Sequence, residues 1–374
     1  MIKRRVLHIS KYYYPYVGGI ENTCKQLTEF MKNTESAVVC FNEGKRDAIE
    51  EINGVKVYRV GSWVTISRQS MSPTYFTILH RALKEFQPDI IHFHWANPFA
   101  AAVLLTMIPK SVKLLVHYHM DIIKQAKIYP FIKPVEKKLL KRADRIIVTS
   151  PNYRDGSLPL QTFKEKVRIV QSSFDKEKFD RINDASHVES IKALYGGKKI
   201  VFFVGRHIQY KGLPYLLNAE KQVKGDCVFV IAGGGPLTEQ LKESCHSDRV
   251  KFVGRLSDED LVCYHKAASI FAFPSITKNE AFGVALAEAM YCYTPAVTFT
   301  IDGSGVNWVS LNGITGIEVP NCDVAAYAKA VDTLLSDDEL AKQYAEAAHR
   351  RAVDNFTIPT MLEKMIEVYM EIYN

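Results

Sequence analysis

Short apolar runs alternate with amphipathic stretches along this chain. Val6–Ser10, Ala37–Phe41, Val55–Val60, Ile90–His94, Leu114–His119, Arg145–Ser150 and Val167–Val170 have the length and composition of buried strands. Between them Glu21–Met31, Thr74–Phe86, Phe99–Ile108 and Pro130–Arg142 carry helical periodicity. Phe174 to about Leu194 is polar and reads as an irregular connection. The alternation then restarts, with strands at Ile200–Val204, Val228–Ala232, Val250–Val253, Ile270–Phe273, Ala296–Phe299 and Ile317–Val319. Helices are expected at Leu213–Val223, Pro236–Cys245, Glu259–Ala268 and Phe282–Tyr291, and over most of Val324–Asn374, with breaks near Ser336 and Pro359. Strands that are apolar throughout and joined by helices make parallel sheets covered on both faces. The pattern therefore predicts an α/β protein with two Rossmann-like, doubly wound parallel-sheet domains facing across a cleft. The expected domains are residues 1–173 and 174–355, with 356–374 a helix returning to the first. Ligands of such sheets bind beyond the carboxyl ends of the strands.

At one such strand end lies Thr277–Met290, TKNEAFGVALAEAM. Pro274 closes the preceding strand, so Glu280 falls on a loop and Glu288 about two turns into the next helix. The backbone N–H groups of Phe282, Gly283 and Val284 then open that helix unpaired. A helix start of this kind attracts phosphate, and Gly283 lets a ligand approach the backbone. The two carboxylates can accept hydrogen bonds from sugar hydroxyls. Spacing alone also fits a surface loop followed by a helix with an ordinary glutamate.

Other strand ends carry polar groups. Gly205–Gly212 (GRHIQYKG) puts Arg206 and Lys211 on one loop, where two cations can clamp a diphosphate or simply face solvent. Ala232–Leu237 contains Gly233-Gly234-Gly235-Pro236, a tight turn with proline suited to the first helical position. Val116–Asp121 contains His117 and His119. A strand-end histidine can bond a sugar hydroxyl or a leaving oxygen, or be satisfied within the core. Gly18-Gly19 follows the first strand and precedes a helix.

Together these stretches resemble the retaining glycosyltransferases of family 4, which have the two-domain GT-B fold. The family's E-x7-E element, close to S-x-x-E-x-F-G-x-x-x-x-E-A-M, is matched by Ser275, Glu280-Ala281-Phe282-Gly283 and Glu288-Ala289-Met290, with a longer gap after the serine. G-R-x-x-x-x-K-G matches Gly205–Gly212, G-x-G-P matches the Gly234 turn, and P-x-x-G-G-x-E matches Pro15–Glu21. His119–Gln125 resembles Y-H-S-D-I-x-x-Q of a bacterial subgroup, many of them mannosyltransferases of surface-polysaccharide assembly, with Met120 in place of serine. A further departure is Gln171–Asp175, where the family often has P-N-G-V/I-D. The resemblance implies that Glu288 takes the ribose hydroxyls. It implies that Glu280 and the Ala281–Val284 backbone hold sugar and phosphate, and that Arg206 and Lys211 anchor the diphosphate. Gly234 lines the donor site, Gly18 and Gly19 approach the diphosphate or acceptor, and His119 lies beside the donor's sugar. Gly254, Arg255 and Leu256 are assigned to the base pocket. His119 and Glu280 are the candidate catalytic residues, no nucleophile is identified, and same-face attack by the acceptor is the implied route to retention.

The chain has 374 residues, 47% of them hydrophobic, enough for two cores. No apolar run reaches the length of a membrane span, and MIKRRVLHIS reads as a first strand, not a signal peptide. Seven dispersed cysteines without a C-x-x-C pair fit reduced cytoplasmic thiols. Charge is uneven: residues 1–174 hold 27 Lys/Arg against 14 Asp/Glu, a net of +13, although the whole chain is only +7. Part of this lies in Lys124–Arg145, where lysines and arginines flank Tyr129, Phe131 and Ile132; that face could lie on an anionic membrane or be a solvated helix face. No nucleic-acid signature accompanies it. His92/His94 and His117/His119 lie two apart on strands, but a metal site needs further ligands. Asp258-Glu259-Asp260 precedes a helical run and reads as first-turn acids. No G-x-S-x-G or P-loop is present.

The expected protein is a hexosyltransferase, cytoplasmic or peripheral on the inner face of the plasma membrane, that needs neither metal nor cofactor, its nucleotide-diphosphate sugar being a co-substrate. The best donor is GDP-mannose, and the acceptor a glycan or lipid-linked oligosaccharide. The alternatives are a UDP-sugar-dependent transferase of the same fold, a nucleotide-sugar epimerase, and a non-catalytic sugar-nucleotide-binding protein.

Overall fold

The computed structural model describes residues 3–16, 18–66, 69–95, 97–122 and 129–373. The chain divides into two compact units, residues 1–170 with 362–374, and residues 171–361.

The strands of the first unit are β1 (Arg4–Ile9), β2 (Thr34–Asn42), β3 (Ala48–Ile52), β4 (Val55–Gly61), β5 (Val64–Ile66), β6 (Gln69–Met71), β7 (Ile90–Trp95), β8 (Lys113–Tyr118), β9 (Arg145–Val148) and β10 (Val167–Ile169). Eight of them form one sheet in the order β10-β9-β8-β7-β1-β2-β4-β3. Its pairs are parallel except β3 on β4, an antiparallel edge hairpin that the apolar pattern does not announce. β3 alternates half-buried and exposed residues, so it lacks the continuous apolar run of its neighbours. β5 and β6 pair as a separate small ribbon. β7 is buried at all six positions, as a strand covered on both faces must be. From Leu362 the C-terminal helix Ile358–Tyr373 belongs to this unit, where Glu371 pairs with Arg145 and Arg168.

The second unit carries β11 (Lys199–Arg206), β12 (Cys227–Gly234), β13 (Val250–Gly254), β14 (Ile270–Phe273), β15 (Ala296–Phe299) and β16 (Gly316–Val319). All six pair in parallel, in the order β13-β12-β11-β14-β15-β16. The chain first winds outward from β11 through β12 to β13, then returns to the other side of β11 with β14. That reversal is the topological switch point where doubly wound sheets bind ligands. Phe202, Phe271 and Phe273 fill the centre and are at most 1% exposed. Burying each contributes about 1.5–3 kcal/mol, which fixes the strand ends that carry the polar loops.

The stretch after Phe174 is not irregular. Lys176–Arg181 and Ala185–Leu194 are helices, capped by Asp175 on the Lys178 amide and Asp184 on the His187 amide, at 3.1 and 3.0 Å. Phe174, Phe179, Val188 and Ile191 pack into the core of the second unit.

Candidate functional site

Four adjacent strand ends of the second unit collect most of the candidate residues. β11 ends at Arg206, β12 at Gly234, β13 at Gly254, and β14 runs into the loop that holds Glu280. Arg206 pairs in register with Gly234, so the basic loop and the glycine turn are neighbours. Glycine is required at two contacts here. Gly212 has φ +68°, and a Cβ on it would run into the Pro274 carbonyl oxygen; Gly233 has φ +108°, and its Cβ would meet the Gly205 carbonyl. The three loops are thus backed onto one another at their main chains.

Lys211 and Glu280, 69 residues apart in sequence, form a direct ion pair. Their side chains are only 13% and 12% exposed. Burial pulls the Lys211 ammonium down, but the Glu280 carboxylate more than offsets this and the balance is raised. Ser275 donates to the same Glu280 oxygen at 3.2 Å, and Ser304 Oγ donates to the Glu280 carbonyl. The Gly305 amide bonds the Ala281 carbonyl at 3.1 Å. Glu280 is therefore held from three segments. Ser304 and Gly305 were not singled out in the sequence, because nothing in their local pattern ties them to a loop 24 residues upstream. Arg206 is exposed, and its charge acts on Lys211.

Gly283 has φ +90° and caps the helix Val284–Tyr291. The amides of Phe282, Gly283, Val284 and Ala285 donate to no group among the described residues. They form an open anion-binding helix start two to five residues from Glu280. Phe282 itself turns inward: it is 4% exposed and meets Phe356 edge-on at 5.3 Å. Its side chain thus fixes the turn, and only its backbone is available to a ligand.

Glu288 sits in the second turn of this helix, its side chain 18% exposed. Among the described residues its one ion-pair partner within 4 Å is the fully buried His265, at 3.9 Å, beyond hydrogen-bonding reach. Burial pushes the Glu288 carboxyl up to about 7, opposed by Lys178 and reinforced by Asp258 and Asp175. A carboxylate so poorly compensated has unused capacity for ligand hydroxyls. Gly254 ends the edge strand β13, with Arg255 and Leu256 just beyond it, and β12 and β11 separate this strand from β14; Gly254 and Arg255 are exposed.

Gly18, Gly19 and His119 belong to the first unit. Gly18 and Gly19 begin the helix that follows β1, and His119 follows β8, 7% exposed. Next to it Asp121 accepts from Ser157 at 2.7 Å, and the Tyr118 hydroxyl lies 3.0 Å from Asp121 and 2.8 Å from Glu136. Burial raises Glu136, a buried acid hidden in a lysine-rich helix.

The acids Asp258 and Asp260 start a helix capped by Ser257, pairing with Lys178 and His187. All seven cysteines are free. On the basic stretch, Lys133, Lys137, Lys138 and Lys141 are exposed beside Phe131, itself 81% exposed. Arg142 and Arg145 instead pair internally with Asp144 and Glu371, so they leave the proposed basic face. Lys124, Gln125 and Lys127 lie outside the described residues, as does Val17 of the Gly18-Gly19 motif. No helix among the described residues is long and apolar enough to cross a membrane.

Comparison with known proteins agrees with this geometry. Residues 17–178 match Glycosyltransferase Family 4, and residues 187–351 match Glycosyl transferases group 1. The chain is 29% identical over 378 residues to O-antigen chain mannosyltransferase C of Escherichia coli, covering 98% of both chains. It is 30% identical over 360 residues to D-rhamnosyltransferase WbpZ of Pseudomonas aeruginosa, covering 94% of this chain and 92% of that one. Among solved structures, Anabaena Alr3699/HepE in complex with UDP and glucose superposes with a TM-score of 0.76 at 18% identity, over 98% of this chain and all of that one. The paired parallel sheets, the ordered strand-end motifs and these near full-length matches make the chain a member of the family 4 glycosyltransferases, with the GT-B fold.

Proposed function

We propose that this glycosyltransferase moves a hexosyl group from a nucleotide-diphosphate sugar to a glycan or lipid-linked oligosaccharide, with retention and without a metal on the diphosphate. The observation that carries the proposal is the Lys211–Glu280 pair at the β11/β14 switch point, beside the open helix start at Gly283. A diphosphate entering there meets one buried cation, one exposed cation at Arg206, and up to four free amides. These groups stabilise the charge that grows on the leaving nucleoside diphosphate, the work a divalent ion does elsewhere. Glu280, released from or sharing Lys211, accepts from sugar hydroxyls, and Glu288 accepts from the ribose. Catalysis is positioning and leaving-group stabilisation, with the acceptor attacking from the departing face.

GDP-mannose is the proposed donor. Similarity to the Escherichia coli mannosyltransferase over 98% of both chains supports it. The exposed Phe131 among lysines supports an acceptor at an anionic membrane surface, reached from the cytoplasm. A UDP-sugar donor is the second reading, favoured by the UDP and glucose of the Anabaena structure, a relative in fold only.

The test is calorimetric titration with GDP, UDP, GDP-mannose, UDP-glucose and UDP-N-acetylglucosamine, with and without chelator. Tighter binding of the GDP ligands, unchanged by chelator, is the expected result. Preference for UDP ligands would discard mannose and keep the site. No binding, or binding lost with chelator, would overturn the proposed metal-free cradle.

A further inference from the structure

The other switch point, between β1 and β7, is packed with histidines. His8 on β1 stands opposite His92 on β7, and His94 on β7 opposite His117 on β8. His119 lies one pleat beyond His117. All five are at most 7% exposed. They form two hydrogen-bonded rows running diagonally across the strands. In the first, His8 Nδ1 lies 3.2 Å from His94 Nε2, and His94 Nδ1 lies 3.0 Å from His119 Nε2. In the second, the Tyr369 hydroxyl lies 2.7 Å from His92 Nδ1, and His92 Nε2 lies 3.3 Å from His117 Nδ1. That row ends at His117 Nε2, buried with no partner among the described residues.

The ring geometry separates two readings of the cluster. Nitrogens of His8, His92 and His94, and of His94, His117 and His119, gather within 4.8 Å, as a metal trio would. A metal ion, however, sits on the lone pair of each imidazole and in the plane of each ring, about 2.0–2.1 Å away for zinc. Here the rings within each row meet edge to edge, with centroids 5.5 and 5.3 Å apart in the first and 5.4 Å in the second, so the in-plane directions between neighbouring rings are taken by the next imidazole. The two rows lie face to face, His92 over His94 at 4.6 Å and 1°, His117 over His119 at 4.0 Å and 12°. The arrangement is that of shared protons.

A neutral imidazole has one N–H and one lone pair. Each N···N line in a row holds one proton, so the tautomer of one ring dictates the next. If His8 Nδ1 donates, His94 carries its proton on Nδ1 and donates to His119 Nε2, leaving His119 with its proton on Nδ1. In the opposite sense all three switch together. We propose that His8, His94 and His119 act as one tautomeric unit, in which His94 is a positioning residue that fixes which nitrogen of His119 bears the proton offered to substrate. The functional half of this rests on placing His119 beside the donor's sugar. Burial keeps the row uncharged: it holds His8 and His119 at about 3 and, with the neighbouring imidazoles second, holds His94 well below its ordinary value. Besides the imidazoles, the titratable groups facing the cluster among the described residues are Tyr369 from the C-terminal helix and, acting on Tyr369, Cys24 from the helix after β1.

The test uses the full chain labelled with 15N-histidine, without ligand, together with transfer kinetics. His8, His94 and His119 should each show one neutral tautomer, unchanged between pH 5 and 8. His94→Leu should give His119 a mixture of tautomers and lower kcat about 10-fold, with the donor KM within about 2-fold. His94→Asn, whose amide can donate or accept near the place of Nδ1, should restore the single tautomer and most of kcat. Mixed tautomers in the parent protein, or an unaltered His119 in His94→Leu, would overturn the proposal. So would stoichiometric zinc, nickel or copper in the purified protein that His94→Leu removes. The spectra need no donor, so a protein that transfers nothing would sink the functional reading while the spectra still decide this one.

Discussion

Two sheets of the same winding carry opposite chemistry at the same topological place. Where the second sheet reverses, between β11 and β14, it holds Lys211 against Glu280 with Arg206 nearby. Where the first reverses, between β1 and β7, it holds uncharged imidazoles bonded to one another. In the second unit the glycines at 212 and 233 bring main chains together and Gly283 opens a helix whose first amides are free, so anionic groups have somewhere to bind. In the first, side chains fill that space. A switch point thus supplies a position, and the residues beyond the strand ends decide whether it takes a charged ligand or governs the placement of a proton.

The largest way to break this contrast is at Glu280. Glu280→Ala should lower the transfer rate about 10²–10³-fold while the circular dichroism spectrum stays that of the parent, because it removes a group held from three segments at the proposed sugar site. Near-parental turnover in that variant would move the chemistry elsewhere. Next is Lys211→Ala, which should weaken GDP binding by about 10–100-fold, the worth of a charge-assisted hydrogen bond to phosphate. Calorimetry reads this directly.

Glu288 gives a pH test. Its carboxyl is pushed up to about 7 by burial, from 4.5. Ribose hydroxyls bond the ionised form better, so nucleotide affinity should rise about 10-fold from pH 6 to 8 and flatten in Glu288→Gln. Stability moves the other way. Between pH 4.5 and about 7 the folded state keeps a proton that the unfolded state has lost, so this group's contribution is full below 4.5 and falls as pH rises to 7. Glu288→Gln should therefore melt higher than the parent at pH 8, by up to ~3 kcal/mol in stability, and about equally at pH 4. A scanning calorimeter distinguishes the two. The smallest effect is expected for Gly283→Ala, which forces an alanine to φ +90° with its Cβ 3.0 Å from Phe273; about 1–2 kcal/mol of stability should be lost. An unchanged melting temperature would show that the turn relaxes.

Much of this was legible in the order of residues. Strands buried on both faces, such as β7 and β14, announce themselves as apolar runs, and the loops after them carry the glycines and charges. What sequence concealed has physical reasons. Asp175 and Asp184 look like linker polarity but cap helices whose buried faces are only Phe179, Val188 and Ile191. β3 and β5 are half exposed or fully exposed, and the buried centre of β6 is the polar Ser70, so no apolar period marks them. His92/His94 and His117/His119 were visible as pairs, but His8 joins them only because the winding sets β1 beside β7. Likewise Lys211 and Glu280 were each identifiable, but their pairing exists only once β11 and β14 lie side by side.

The most direct test of the account is titration of GDP, in the presence of chelator, into the parent protein, Lys211→Ala and His94→Asn. The account predicts affinity reduced at least about 10-fold in Lys211→Ala and unchanged in His94→Asn. Equal affinity in the parent and Lys211→Ala, or loss confined to His94→Asn, would contradict a charged donor site at the β11/β14 switch point.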